Sequence, residues 1–507
     1  MSRECTAGSP LSVVAASRFS QEQARAEFKA LESWMFSPEA MSLPLDEIER
    51  EQERRGREVY RLMLQAHIRA RGIGDVGSAI EVAASGGGHA VRLGERREHE
   101  CHQTTIFGEV AVNRLGYSQA GHPAIHPLDR DLALPADSYS YEVQRRVIKA
   151  AVQGPFDEAI ERVEESTGVA LPKRSAEETV KEAAIDFDAF YAKRVPAAPE
   201  STGPILVGAV DGKGIPMVKP TKAERVVRRS KGKKANKKRM ATVATVFTIL
   251  PRPRTPEEVA ESLFWPELQR SEEEKKRPRP RPENKRVWAS LKQSKDAVID
   301  EVGKEMQRRD PDGTKKHVVV TDGERALQIR VRKRLGASVL LILDFLHVLE
   351  KLWKAAYVFH AEGTEEAADW VHMKAFKILC GDVSQVVKGL RQTVTKRRLR
   401  GERRKTLLGV ASYLYRNRAR MRYHEYLAAG LPIASGAVEG ACKNLVKDRM
   451  ERSGMRWKED SAEAMLRLRA TYLSGDFEEY WTFHVKQDQG RLHPPGAWRP
   501  LQQVVEE

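Results

Sequence analysis

The chain has 507 residues, 41% of them hydrophobic, which is too long for one ordinary core and too apolar for a disordered protein. A net charge of +16 and a pI near 9.5 point to a polyanionic partner, with nucleic acid first and a merely basic or ribosome-associated protein as the alternative. Cys5, Cys101, Cys380 and Cys442 are scattered without a C-x-x-C pair, and no apolar run reaches the roughly 18 residues of a membrane span, so a disulfide framework, a zinc finger and a membrane anchor are all disfavoured and a reducing cytoplasm fits.

Residues 1–94 read as an N-terminal helical region. The first 20 are polar, carry no secretory h-region and look untethered. Two helices follow over 21–72, the second running from Leu45 to Arg71 after Pro44 and dense in Glu and Arg. The run AASGGGHAVRLG breaks the pattern. Residues 95–136 form a small β element, because HQTTIFGEVAVNRLGY alternates and is rich in β-branched side chains. His99, Cys101 and His102 stand at its start, but no second ligand pair with suitable spacing follows, which favours a strand edge over a metal site. Residues 137–200 are helical again and end in a linker, PAAPESTGP. Within them a turn at Thr167-Gly168 separates two helices, and Ser175 with Glu178 has capping-box spacing for the second. The outline fits a helix-turn-helix or a plain helical hairpin; the acidity of the second helix counts against the former.

Residues 201–344 carry the strongest strands. ILVGAVD (205–211) and MATVATVFTIL (240–250) are continuous apolar runs, and between them lies the basic stretch 221–239 with Arg228, Arg229, Lys233 and Lys234. The charged, Pro-rich segment 271–286 should not pack, and a helix is expected over 285–308. HVVVTD (317–322) and SVLLILD (338–344), separated by the helix ERALQIRVRKRL, make a β-α-β unit with parallel strands. Residues 345–429 are all helical and carry a second basic run, 396–405. Residues 430–475 continue as helix, and 476–507 form a C-terminal tail.

Three of these strands end in an aspartate: Asp211, Asp322 and Asp344. Ligands of open α/β sheets collect at the carboxyl ends of strands. Glycine follows Asp211 and Asp322 at once, as if to let the chain turn away and leave room for a bulky polyanion. Carboxylates crowded there repel one another unless a divalent cation joins them, and hard Mg²⁺ prefers such oxygen donors. Each aspartate alone reads first as a turn-former or a helix cap, and only the three together point to a site.

The blocks GAVDGKGIPM, VVVTDGERAL, LDFLHVLEKLWKAA and, above all, IASGAVEGACKNLVKDRMERSGMRW resemble the motif blocks of bacterial insertion-sequence transposases of the ISKra group, relatives of the Mutator-like transposases. The resemblance spans about 205–457. It implies an α/β fold: an RNase H-like mixed-sheet core interrupted by an all-helical insertion and preceded by a mainly helical DNA-binding region. It implies catalytic, metal-holding carboxylates at Asp211 on the first strand, Asp322 on the fourth and Glu439 on a later helix. Read without the motif, Glu439 would be a surface acid paired with Lys443 four residues on. Asp344 and His347 make an Asp-x-x-His pair comparable to one in the wider group and are expected to support the site; Asp344 could instead simply cap the next helix. Lys213, Arg228, Arg229, Lys233, Lys234, Lys443, Lys447, Arg449, Arg452, Arg456 and Trp457 are expected to meet DNA. The implied cofactor is Mg²⁺ or Mn²⁺, as two ions. The implied partners are the element's terminal inverted repeats and target DNA, met by at least a dimer in the bacterial cytoplasm at the nucleoid. A nuclease that cuts without joining, and a non-catalytic DNA-binding regulator, are the alternatives.

Overall fold

The computed structural model describes residues 10–82, 90–218, 238–265 and 280–501. The chain divides into two compact units, Met1–Phe190 with Glu478–Glu507, and Tyr191–Phe477.

In the first unit, helix Pro10–Met35 packs against helix Leu45–Ala70. The latter places Asp46 and Glu47 in its first turn and His67 and Arg69 in its last, each complementing the helix dipole. Its surface is laced by ion pairs such as Arg50–Asp46 and Arg57–Glu53. The expected strand pair forms: β3 (Glu95–Thr105) runs antiparallel to β4 (Gly108–Gln119), which also pairs with β5 (His122–Ile125). Val110 and Val112 bury one face of β4 against Ile68 and Leu128. A second small sheet joins β1 (Ile80–Val82), β2 (Val91–Leu93) and the strand Trp498–Pro500.

Helices Tyr141–Ala151, Phe156–Thr167 and Lys173–Ala183 follow. The second ends on Gly168, whose φ of 68° is the left-handed conformation glycine adopts without strain. The third starts behind Pro172, so Ser175 lies inside the helix; the capping box expected with Glu178 does not form, and Glu178 instead pairs with Arg174 at 2.9 Å. Within the segment expected as a tail, Phe477–Leu492 is a helix and Trp498–Pro500 a strand. Its helix, Phe477–Leu492, is anchored by buried Asp186, which accepts from His484 Nδ1 (2.7 Å) and from both Nη atoms of Arg491 (2.8 and 3.0 Å).

The second unit is mixed α/β. Its five-stranded sheet has the order β10-β9-β6-β7-β8: β6 (Ile205–Pro216), β7 (Lys238–Ile249), β8 (Glu283–Ser290), β9 (Lys316–Thr321) and β10 (Leu340–Leu343). β6, β7 and β8 are successively antiparallel, whereas β9 runs parallel to β6 and β10 parallel to β9. Helix Arg325–Leu335 makes the crossover between the parallel pair, as the sequence pattern implies. β8 corrects the expected helix over 285–308. The run Arg286-Val287-Trp288-Ala289 is β-branched and aromatic and pairs with β7, and the helix begins only at Lys295, capped by Ser294. The basic run 219–237 and residues 266–279 lie outside the described residues.

Helices Phe345–Ala356, Glu365–Leu379, Val383–Lys396, Gly401–Asn417 and Tyr423–Ala428 follow β10 as an all-helical block. Their apolar stripes (Val348, Leu352, Val371, Ile378, Leu407, Leu414) share one core with Val318, Val320 and Ile342 of the sheet.

Candidate active site

Strand register brings the three aspartates level. The parallel pairing of β6 with β9 ends with Ala209 opposite Val320, a register that, carried two residues further, would set Asp211 opposite Asp322. The pairing of β9 with β10 reaches Thr321 opposite Leu343, so the next step sets Asp322 beside Asp344, and Asp344 N–H still donates to Thr321 O at 2.9 Å. Adjacent strands lie about 4.8 Å apart, so the three acids form a row across one end of the sheet. Asp211 does not end its strand, contrary to the sequence reading. β6 continues to Pro216 while paired with β7, so Gly212 and Gly214 make no turn.

The row is not uniform. Asp211 Oδ1 accepts Gly212 N–H (2.6 Å), and its Oδ2 faces Cys442 Sγ at 3.3 Å. Asp322 Oδ1 accepts Glu324 N–H at 3.0 Å. Burial first, then the negative charges of Asp211 and Glu324, raise the proton affinity of Asp322. Asp344 is fully buried and fully used. Its Oδ1 caps helix Phe345–Ala356 through Leu346 N–H (2.8 Å), and its Oδ2 accepts Ser435 N–H (3.1 Å) and the Ser435 hydroxyl. Ser435 precedes the short helix Gly436–Ala441 that carries Glu439, so Asp344 fixes that helix to the end of β10. The capping reading of Asp344 is therefore met, and the same side chain also binds Ser435.

Glu439 is exposed and makes no hydrogen bond or ion pair among the described residues, so the surface pair with Lys443 is not formed. Partial burial, then the charges of Asp344, Glu350 and Asp211, raise its proton affinity. His347 turns Nδ1 toward Glu350 (3.2 Å). Burial by itself would lower its proton affinity, but Glu350, Asp344 and Asp322 together outweigh that and raise it. Asp344, His347 and Glu439 each offer a ligand atom within 4.8 Å of the others, so this group could hold a metal ion. Its mixed nitrogen and oxygen donors suit Mn²⁺ or Zn²⁺ better than Mg²⁺.

The residues expected at DNA divide into four sets. Lys213 lies two positions after Asp211 on β6, on the same face, and its charge reaches Cys442. Lys443, Lys447, Arg452 and Arg456 are exposed, as are Arg403, Arg404 and Lys405 of the 396–405 run. Arg228, Arg229, Lys233 and Lys234 lie outside the described residues. Arg449 and Trp457 are corrected: they are 0% and 6% exposed and cannot meet a phosphate from where they stand. The Arg449 guanidinium packs 5.0 Å from the Trp457 ring, Trp457 Nε1 donates to Met450 O (3.0 Å), and Trp457 bridges to the end of β6 at Met217. An aromatic beside a cation reads alike in sequence whether it binds a ligand or closes a core.

Two neighbours of the acids escaped the sequence reading. Cys442 was noted only as an unpaired thiol; its place one helical turn after Glu439 was the available signal. Tyr413 lies in the helical block; its proton affinity is raised by burial and then by Asp322 and Asp344, and nothing in the sequence links it to them.

No family model matches the chain, and no curated protein matches it. A solved structure, the Drosophila P element transposase strand transfer complex, aligns with a TM-score of 0.26 and 9% identity over 67% of this chain and 79% of that one, a likeness too low to carry an argument. Among the described residues no helix is long and apolar enough to cross a membrane.

Proposed function

We propose that this chain is a DNA transposase with an RNase H-like core, in which Asp211, Asp322 and Glu439 form the catalytic carboxylate triad. The observation that carries this reading is geometric: the parallel pairing of β6 with β9 brings the Asp211 and Asp322 segments, far apart in sequence, to the same end of the sheet, where Asp344 binds Ser435 at the start of the Glu439 helix. Chain order within the sheet supports it, since Asp211 lies on the first strand, β6, and Asp322 follows the fourth, β9. The donor set fits a divalent ion: Asp322 commits one oxygen within the protein, Glu439 commits none among the described residues, and carboxylate oxygens suit Mg²⁺ or Mn²⁺. Two such ions would activate the attacking oxygen and stabilise the leaving one. The protein's own residues supply position. Asp344, through Ser435, holds the Glu439 helix, and exposed Lys443, Lys447, Arg452 and Arg456 hold the phosphate backbone without reading sequence. Two element ends must be joined, so the working form has at least two copies on DNA.

The test is end cleavage and joining with Mg²⁺ on a plasmid carrying the DNA that flanks the coding gene on both sides. Asp211→Asn should lose cleavage by about a thousandfold or more while binding the same DNA. Equal cleavage by both proteins would remove Asp211 from the mechanism. Cleavage without joined product would favour a nuclease, and binding without cleavage by wild type would favour a regulator.

A further inference from the structure

The start of β8, the end of helix Lys295–Arg309, residues 191–202 and the end of helix Glu459–Ser474 border a cavity of about 150 Å³. One water needs roughly 10–15 Å³ of such space, so there is room for several waters or for one phosphate group. The whole lining belongs to the second unit. Arg194, Lys285, Arg286, Arg308 and Arg309 are part of it. Among the described residues only two carboxylates of the lining, Glu305 and Asp476, stand against these five cations.

Both acids are already shared. Glu305 pairs with Arg286, Arg308 and Arg309 at once, and Asp476 accepts from Arg194 (2.8 Å) and from the Tyr191 hydroxyl (2.8 Å). One carboxylate cannot neutralise three guanidinium groups, each with five N–H donors. The surplus acts inside the cluster: burial lowers the proton affinity of Arg309, Glu305 opposes this, and the charges of Arg286 and Arg194 add to it. Arg286 and Arg309 are buried and contribute field alone. Arg194 and Arg308 keep 29% and 31% of their side chains exposed, and Lys285 is half-buried with no ion pair among the described residues. Because these three also line the cavity, a solute inside it can reach them. A cation would be repelled there, and a neutral solute would leave the surplus uncompensated; a compact oxyanion with several acceptor oxygens answers both charge and donors.

We propose that this cavity binds one phosphate group through Lys285, Arg194 and Arg308. The site goes beyond the transposase reading and does not depend on it. Asp211 pairs with Val243 of β7, and Thr248, which lines the cavity, lies five residues further along that strand. At about 3.4 Å per residue the two places are roughly 17 Å apart, at opposite ends of the sheet. A phosphate in the cavity is therefore held and not cut. Its source is either the backbone of bound DNA or a free phosphate ion.

The experiment titrates the full chain with sodium phosphate, against sodium chloride at matched ionic strength and neutral pH, by calorimetry. Wild type should show one saturable site, weakened about tenfold or more in Lys285→Gln, the size of losing one charged donor. Thermal unfolding without phosphate should be the same in both proteins. Lys304→Gln removes an exposed lysine of the Arg308 helix that does not line the cavity, and should bind phosphate as wild type does. No saturable site in wild type, equal affinity in Lys285→Gln, or an equal loss in Lys304→Gln would overturn the assignment. A duplex of random sequence then identifies the source. If DNA supplies the phosphate, saturating phosphate weakens duplex binding by wild type but not by Lys285→Gln; if free phosphate is the ligand, duplex affinity is unmoved by either change. Absence of end cleavage would sink the transposase reading and leave this site standing.

Discussion

The two ends of the five-stranded sheet treat carboxylates in opposite ways. Near the start of β8, Glu305 is 5% exposed and surrounded by cations: Arg286 Nη1 at 2.8 Å, Arg309 Nε at 2.7 Å, and Arg308. Arg286, itself 1% exposed, also pairs with Glu301 and stacks 3.7 Å from the Tyr191 ring and 4.5 Å from that of Trp288. Burial alone would raise the proton affinity of Glu305, but Arg286, Arg309 and Arg308 overcome it and bring the carboxyl down to about 2. At the other end, Asp322 and Glu439 have no cationic side chain bonded to them among the described residues that could offset burial and like charge, and both are raised. Compensated acids hold a fold together; uncompensated ones spend stability on being ready for a cation from outside.

That contrast can be broken from either side. The largest effect on stability should come from Arg286→Met, which leaves Glu301 and Glu305 short of their shared partner; we expect about 3–5 kcal/mol lost in urea unfolding. A loss under 1 kcal/mol would mean that the cluster is no anchor. Next comes acid sensitivity. Because the Glu305 carboxyl is depressed when folded, its contribution is complete above about pH 4.5 and fades as pH falls toward 2, on the order of 3 kcal/mol. Glu305→Gln should flatten the urea midpoint across that window, and an unaltered profile would contradict the assignment. The smallest effect has the reverse sign. Asp322 is raised when folded, so its charge opposes folding at neutral pH and ceases to do so as the carboxyl protonates. Asp322→Asn should therefore raise Tm by about 1–3 °C at pH 7 without divalent ions, and the difference should shrink on acidification. Added Mg²⁺ should raise Tm in wild type and much less in the variant; equal shifts would place the ion elsewhere.

Much of this contrast was legible in advance, and unevenly. The apolar runs ending at Asp322 and Asp344 gave strands, direction and two acids, because a buried parallel strand has few other readings. Strand β8 was not legible, since its apolar core of three residues follows a charged, Pro-rich run that hides its start. The Asp211 strand end was misplaced, because β6 runs on past its apolar stretch, held by β7 and not by burial. Glu439 was found only through a family resemblance, as its six-residue helix has no periodic signal of its own. The aromatic and basic residues of 433–457 divided wrongly: burial of Arg449 and Trp457 depends on where helix and β6 meet, a tertiary fact without a local pattern.

Directly behind the Glu439 helix, residues Cys442–Lys447 form a π-helical turn. Such a turn holds one residue more than an α-helix would place there, and it is kept where side chains must be re-aimed. Glu439 and Lys443, four positions apart on either side of its start, form no ion pair among the described residues. Deleting a single residue from the start of this stretch would restore ordinary helical spacing, which sets residues three and four apart on one face and would bring a lysine under the carboxylate. The molecule would keep every acid and every base in question, and would have aimed them at one another instead of outward.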